Sequence, residues 1–242
     1  EGQIEAALRA LSDLGIQPKE GHGPPERWLR DGPGAYAYYA KDFCAVVRLT
    51  GGNCSRLFFA AWLTARHERG FGAHVLDLMG SGFFLTPATP TDSVTGLRWG
   101  PYRRKTEEKD LKVPPEILGD ILNPLTWDAL DESMHARGIP AMDLVTLRPD
   151  GGWEQAPWHS TPEGDIQALR LILAQTLKRL STTGRLYFEI PVYGIRGNFA
   201  RHPSVQVLIQ EIESRTPYHL VLSTSESDLG NTYKVSGALI PK

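Results

Sequence analysis

The sequence predicts an α/β protein with a Rossmann-like layered sheet and helices on both faces. First, residues 43–79 have the pattern of a strand, a glycine turn, a helix and a second strand. Second, strand-like apolar runs alternate with helix-like periodicity along nearly the whole chain. Third, 41% hydrophobic and 22% charged residues are ordinary for a globular protein. The glycine turn would lie at the carboxyl end of the first strand, where open α/β sheets bind ligands.

Two apolar runs and the periodic segment between them define this βαβ unit. Residues 43–49 are mostly apolar, as expected for a strand that is covered on both faces. After the turn at 50–55, apolar residues recur three or four positions apart, which indicates a helix that ends near Gly70. The second run, residues 73–78, predicts the next strand.

Three regions follow from this pattern. Residues 1–90 form the Rossmann domain, and its first strand would precede Glu1 and be missing from the sequence. Residues 91–114 are a long irregular connection, because the stretch is rich in Pro, Thr and charge. Residues 115–242 form a second, smaller α/β module of unknown role. In that module, strands are predicted at 142–147, 186–192, 219–223 and 233–240, and helices near 117–122, 130–134, 161–177 and 205–212.

Composition excludes several classes of protein. A net charge of −2 and a pI near 6.4 argue against general nucleic-acid binding. Two cysteines exclude a disulfide framework and favour the cytoplasm. No apolar run reaches the ~20 residues of a membrane span. No Cys/His cluster, P-loop or dinucleotide fingerprint is present, so neither a metal nor a cofactor is expected.

The first candidate site is the glycine turn, whose residues are Thr50, Gly51, Gly52, Asn53, Cys54 and Ser55. Two glycines let the backbone turn tightly and approach a ligand. The helix that follows offers free N–H groups and the positive end of its dipole, which suit a phosphate. The alternative is a tight turn with nothing bound.

Cys54 permits a different interpretation, a cysteine hydrolase or deamidase of toxin type. A cysteine at a helix N-terminus is a suitable nucleophile, and it requires a histidine base. His74 on the next strand and His159 are the candidate bases. The alternative is a small residue that packs at the helix start.

Two weaker pairs complete the candidates. Arg196 and His202 have the approximate spacing of an Arg/His ribonuclease pair, although their segment follows a strand instead of lying within a helix. Asp143 and Glu154 have the order of a nuclease acidic pair, but the accompanying lysine is absent, so a surface hairpin is the favoured interpretation.

The segment 46–52, the helix with Ala60-Ala61 and the strand Ala73-His74-Val75-Leu76 resemble the second half of a CRISPR-associated Rossmann fold (CARF) domain. The segment Phe83-Phe84-Leu85-Thr86-Pro87 resembles a further piece of that family. The likeness covers residues 1–90. Members often carry Thr-Lys or Arg-Lys after the glycines, where this chain has Asn53-Cys54-Ser55.

This resemblance implies a sensor in type III CRISPR antiviral defence. The implied ligand is a cyclic oligoadenylate, bound across a homodimer by Thr50, Gly51, Gly52, Asn53 and Ser55. The implied activity is metal-independent cleavage of that ring, or a signal-activated ribonuclease. Two alternatives stay open at this point, the cysteine hydrolase and a non-catalytic α/β interaction domain.

Overall fold

The structure is a computed structural model that describes residues 74–80, 93–100, 115–147, 149, 152–195, 199–225 and 232–242. The strand predicted at 43–49, the glycine turn and the following helix lie outside these residues. So do Phe83-Phe84 and most of the stretch predicted as an irregular connection.

The described strands form one seven-stranded sheet in the order β3-β2-β1-β4-β5-β7-β6. Strands β1 to β5 pair in parallel with one another, whereas β7 is antiparallel to both β5 and β6. The strands are β1 (His74–Leu78), β2 (Ser93–Arg98), β3 (Glu116–Leu118), β4 (Met142–Leu147), β5 (Leu180–Tyr193), β6 (Tyr218–Ser225) and β7 (Thr232–Pro241).

Three described α-helices accompany the sheet, and each begins with a proline in its first turn. They are α1 (Pro124–Ala136), α2 (Pro162–Leu177) and α3 (Pro203–Arg215). Proline suits this position because its missing N–H would have had no partner there. The side chains of Asn123 and Thr161 cap α1 and α2 by accepting hydrogen bonds from backbone N–H groups of the first turn.

The core lies between the sheet and these helices. All six residues of β4 are buried, as expected for a central parallel strand that is covered on both faces. Trp127 of α1 and Phe188 of β5 are among the largest fully buried side chains. The sequence prediction of a layered α/β fold is confirmed.

The structure changes two local predictions. The helix predicted at 117–122 is wrong, because residues 116–118 form β3, which pairs in parallel with β2. The interval 91–114, predicted as irregular, contains β2. Strands from both sides of this interval pair in the same sheet, since β1 is hydrogen-bonded to β2 and to β4. The division into a domain at 1–90 and a second module at 115–242 stays a prediction.

Candidate active site

The strand order reverses between β1 and β4. From β1 the described sheet continues to β2 and β3 on one side, and from β4 it continues to β5 on the other. Connections that leave adjacent parallel strands in opposite directions open a crevice outside their carboxyl ends. The candidate site is therefore the carboxyl edge of β1 and β4.

A tight turn follows β1 at this edge. Asp77 is 1% exposed and accepts a hydrogen bond of 2.8 Å from the hydroxyl of Thr146 on β4. Met79 has a φ of 58°, and its N–H donates to the carbonyl of Leu97 at 2.6 Å. A Cβ added at Gly80 would lie 2.0 Å from Oδ2 of Asp77. The backbone thus folds directly over the Asp77 carboxylate, and only glycine leaves the required space.

The loop after β4 reaches the same turn. A Cβ added at Gly152 would lie 3.3 Å from Cε of Met79, so this loop and the β1 turn are in close contact. Trp153, the next residue, is completely buried. It makes an edge-to-face contact with Trp158, with ring centroids 5.9 Å apart. Two aromatic side chains therefore fix the loop between β4 and α2 at the edge of the crevice.

Asp165, in the first turn of α2, joins three segments. This carboxylate is 0% exposed and accepts hydrogen bonds from Nε1 of Trp153 at 2.7 Å and from the N–H of Tyr193 at 2.7 Å. Nδ1 of His159 lies 2.9 and 3.0 Å from its two oxygens. A buried carboxylate needs such partners, because an unpaired charge in the interior is costly. Asp165 thereby connects the loop after β4 to the carboxyl end of β5.

His159 completes this cluster. It is 9% exposed, and its ring lies edge-on to that of Tyr193 with centroids 5.9 Å apart. Tyr193 itself is 38% exposed. Among the described residues, the hydrogen bonds of the His159 ring involve Nδ1 alone. Because a carboxylate can only accept, the pairing assigns a ring proton to Nδ1, and in the neutral ring the lone pair is then on Nε2. A histidine held in this way can accept a proton.

The carboxyl end of β2 has a different character. It ends in Arg98 and Trp99, and Trp99 is 88% exposed. Glu116 of β3 lies 3.9 Å from the Arg98 guanidinium. A carboxylate that binds a ribose often stands about 20 residues after the glycine turn of a dinucleotide fold. The described residues of the β2 end, 97–100, include no carboxylate.

The predicted site residues fall in three places. Thr50, Gly51, Gly52, Asn53, Cys54, Ser55 and Arg196 lie outside the described residues. His74 is at the opposite, amino edge of the sheet, where Nδ1 is 2.8 Å from the Ser93 hydroxyl and the backbone N–H donates to Asp143. His74 and His159 therefore do not share a site.

His202 lies at the start of α3 without a capping hydrogen bond from its side chain. Its Nε2 is 3.9 Å from Oε1 of Glu163. The surface hairpin predicted for Asp143 and Glu154 is wrong. Asp143 lies inside β4 and is 4% exposed, whereas the segment that contains Glu154 is a series of turns around a buried tryptophan.

Sequence reasoning missed the residues that form this edge. Asp77 and Gly80 belong to the string Asp77-Leu78-Met79-Gly80-Ser81-Gly82, in which two glycines follow an acid at the end of a strand, and that signal was available. The Asp165 cluster had no comparable signal, because its partners are 6, 12 and 28 residues away.

Among the described residues there is no group of three side chains that could hold a metal. No described helix has the length and apolar character needed to cross a membrane.

Comparisons with known proteins add the following. No protein-family model matches the sequence, and no curated protein is significantly similar to it. Solved structures do match. The O-methyltransferase from Bacillus cereus in complex with SAH has 10% identity and a TM-score of 0.41, over 99% of this chain and 91% of that one. The N-methyltransferase NodS from Bradyrhizobium japonicum WM9 has 12% identity and a TM-score of 0.40, over 76% and 94%.

A TehB-like SAM-dependent methyltransferase from Corynebacterium glutamicum has 15% identity and a TM-score of 0.38, over 87% of this chain and 100% of that one. Identities and TM-scores this low carry no argument about activity. The sheet itself is the firmer observation. Its seven strands with helices are consistent with the Rossmann-like fold of methyltransferases.

These findings correct the functional interpretation of the sequence. The CARF resemblance is wrong, and with it the cyclic oligoadenylate sensor, the ring nuclease and the role in CRISPR defence, because the solved structures that match this chain are methyltransferases and not CARF proteins. The cysteine hydrolase based on Cys54 and the non-catalytic interaction domain are contradicted by the same comparison.

Proposed function

We propose that the protein is an S-adenosylmethionine-dependent methyltransferase. The observation that carries the proposal is the sheet order β3-β2-β1-β4-β5-β7-β6, in which a single late strand is antiparallel to its neighbours and the switch point falls between β1 and β4. A sheet alone does not define an activity, because one fold hosts many functions. The residues at the switch point therefore need to suit the cofactor.

The turn after β1 suits a cofactor of this kind. Gly80 leaves the space that the Asp77 carboxylate occupies, so the backbone can turn tightly at the carboxyl end of β1, where a ligand of this fold binds. The Asp77 carboxylate lies under the turn and is fixed by a hydrogen bond from Thr146. Met79 contacts the loop after β4. The cofactor is a zwitterionic nucleoside, so it needs polar main-chain partners and an apolar wall, and the turn and Met79 offer both.

The exposed Trp99 offers a flat surface at the end of β2 for a nucleobase. When bound, S-adenosylmethionine supplies an electrophilic methyl group on a positively charged sulfur. The chain's own part is to fix the turn, to exclude water with Trp153 and Trp158, and to present the acceptor at the edge of β4 and β5.

Calorimetric titration of the full chain with S-adenosylmethionine and S-adenosylhomocysteine tests this proposal. We expect binding of both in the micromolar range, and none of ATP, which shares the adenosine but not the sulfur chain. At about one hundred times the dissociation constant, either ligand should stabilise the fold by about 2.7 kcal/mol in thermal unfolding. If neither ligand binds the folded protein, the proposal is wrong.

Two glycine variants locate the binding. Gly80→Ala should lose binding, because the new Cβ would collide with Asp77 and move the turn. Gly184→Ala is the control: its Cβ would lie 2.7 Å from the carbonyl oxygen of Met142, which is also too close, but at the amino edge of β5. Equal loss in both folded variants would place the ligand elsewhere.

A further inference from the structure

We propose that His159 is the base that accepts the proton of a hydroxyl group on the methyl acceptor. This inference rests on the proposed methyltransferase function and names the class of acceptor, an aromatic alcohol such as a phenol or catechol. Asp165 is then a positioning residue that holds the His159 ring.

The position of His159 in the fold supports this role. His159 follows β4 and contacts Tyr193 at the carboxyl end of β5, so it lies on the edge of the sheet that carries the Asp77–Gly80 turn. Ligands of parallel sheets bind along this edge. Strands β4 and β5 continue this edge beyond the turn that follows β1. Any acceptor there would meet the loop that contains His159.

The second argument is the state of the His159 ring. A carboxylate at 2.9 and 3.0 Å from Nδ1 fixes both the tautomer and the plane of the ring, and the lone pair on Nε2 is left available. Asp165 in turn is held by Trp153 and by the N–H of Tyr193, so the pair is fixed on two further sides. General bases are typically oriented in this way by a third group.

The aromatic ring next to His159 suits an aromatic methyl acceptor. Tyr193 presents a partly exposed aromatic ring next to His159, and aromatic rings pair favourably edge to face. A phenol or catechol could therefore lie against Tyr193 with its hydroxyl near Nε2. A neutral hydroxyl is a weak nucleophile until its proton is removed, so this class of acceptor has the greatest need of a base.

The chemical balance is simple. The hydroxyl oxygen uses a lone pair to form a bond to the methyl carbon, and its proton passes to Nε2 of His159. The electrons of the broken carbon–sulfur bond stay on sulfur, which becomes a neutral thioether. His159 leaves the step as an imidazolium and returns the proton to water.

If His159 had only a structural role, its variants would have different activities from those expected of a general base. The substitution His159→Asn distinguishes the structural role from the catalytic one. The amide nitrogen of Asn occupies nearly the place of Nδ1 in histidine, so His159→Asn keeps a donor for Asp165 but has no Nε2. His159→Ala removes both. If His159 only ties the loop to Asp165, Asn should behave like the wild type and Ala should not.

The assay is methyl transfer from tritium-labelled S-adenosylmethionine to p-cresol, catechol and p-nitrophenolate. In His159→Asn, kcat for p-cresol and catechol should fall by about a hundredfold to ten-thousandfold, the usual contribution of a general base. The rate with p-nitrophenolate, which needs no base, should change less than about threefold. Asp165→Asn should lower kcat for p-cresol more than it raises KM. The exposed His135→Asn is the control and should match the wild type.

Two outcomes overturn the inference without touching the proposed function. One is that S-adenosylmethionine binds but neither p-cresol nor catechol is methylated. The other is that His159→Asn slows p-cresol and p-nitrophenolate equally. Absence of cofactor binding would instead remove the methyltransferase proposal itself. As a readout apart from turnover, nitrogen NMR of labelled histidine should show that the neutral ring of His159 carries its proton on Nδ1 and not on Nε2. The opposite tautomer would contradict the role assigned to Nε2.

Discussion

Replacing Asp165 by asparagine should destabilise the protein more than almost any other single-atom change in the described part of the chain. The carboxylate is fully buried and is hydrogen-bonded to three residues, Trp153 and His159 in the loop after β4 and Tyr193 at the end of β5. Asparagine has the same size, so the substitution creates no cavity. Its effect is a test of the hydrogen bonds alone.

The magnitude follows from the geometry. One oxygen accepts from Trp153, the other accepts from the N–H of Tyr193, and His159 approaches both. An amide group replaces one of these oxygens by an NH₂, which would face either the Trp153 or the Tyr193 donor. The lost bond to a charged acceptor costs about 1.5–3 kcal/mol, and the buried donor left unpaired costs about 1–3 kcal/mol. The expected loss is about 3–5 kcal/mol.

Urea unfolding followed by tryptophan fluorescence measures this loss. For a chain of this size, about 2–4 °C in Tm accompanies each kcal/mol, so thermal unfolding should show a drop of roughly 10 °C. The matched control is Asp128→Asn on the exposed face of α1, which should change the free energy of unfolding by less than about 0.5 kcal/mol. If Asp165→Asn were no more harmful than Asp128→Asn, the buried cluster would not exist as described.

Three further outcomes can be measured on the same folded protein. Trp127→Phe removes a buried hydrogen bond of 2.7 Å from Nε1 to the carbonyl of Ile121 and should cost about 1–2 kcal/mol in urea unfolding. Gly237→Ala should cost about 1–3 kcal/mol, because its Cβ would lie 2.0 Å from the Phe188 ring, and a neutral effect would contradict that contact. Burial raises the pKa of Tyr187 above its ordinary value, so the folded state resists ionisation and stability should decline above about pH 10; Tyr187→Phe should show a shallower decline.

The sequence predicted those elements whose local signals agree with their packing. The apolar run at 142–147 is a strand, and all of it is buried. The string Thr161-Pro162-Glu163 marked the start of a helix, and in the structure Thr161 caps α2 through a 3.1 Å bond from Gly164. In both places the spacing of the apolar residues and the residues at the element's ends indicate the same secondary-structure element.

Prediction failed where a tertiary contact decided between two local options. Ile117 and Ile121 are four residues apart, which is the spacing of a helix face. In the structure Ile117 pairs with Leu97 of β2, and hydrogen bonds to a neighbouring strand outweigh that local preference. The predicted turn at Gly51-Gly52 lies outside the described residues and stays a prediction, whereas the described sheet places a switch point after β1, at Asp77 and Gly80, which the sequence reasoning did not single out.

The two edges of the sheet also differ in how their buried polar groups are used, and this difference favours the carboxyl edge as the reactive one. At the amino edge, Asp143 accepts from the His74 N–H and from the Ser181 hydroxyl, and Nδ1 of His74 meets Ser93. Those bonds tie β1, β2, β4 and β5 to one another, so they account for the presence of the polar groups. At the carboxyl edge, Asp165 ties its segments together in the same way, but it does so through a histidine whose second nitrogen takes no part. Loop anchoring alone would be met by asparagine at position 159, and for that reason the His159→Asn variant separates the two roles.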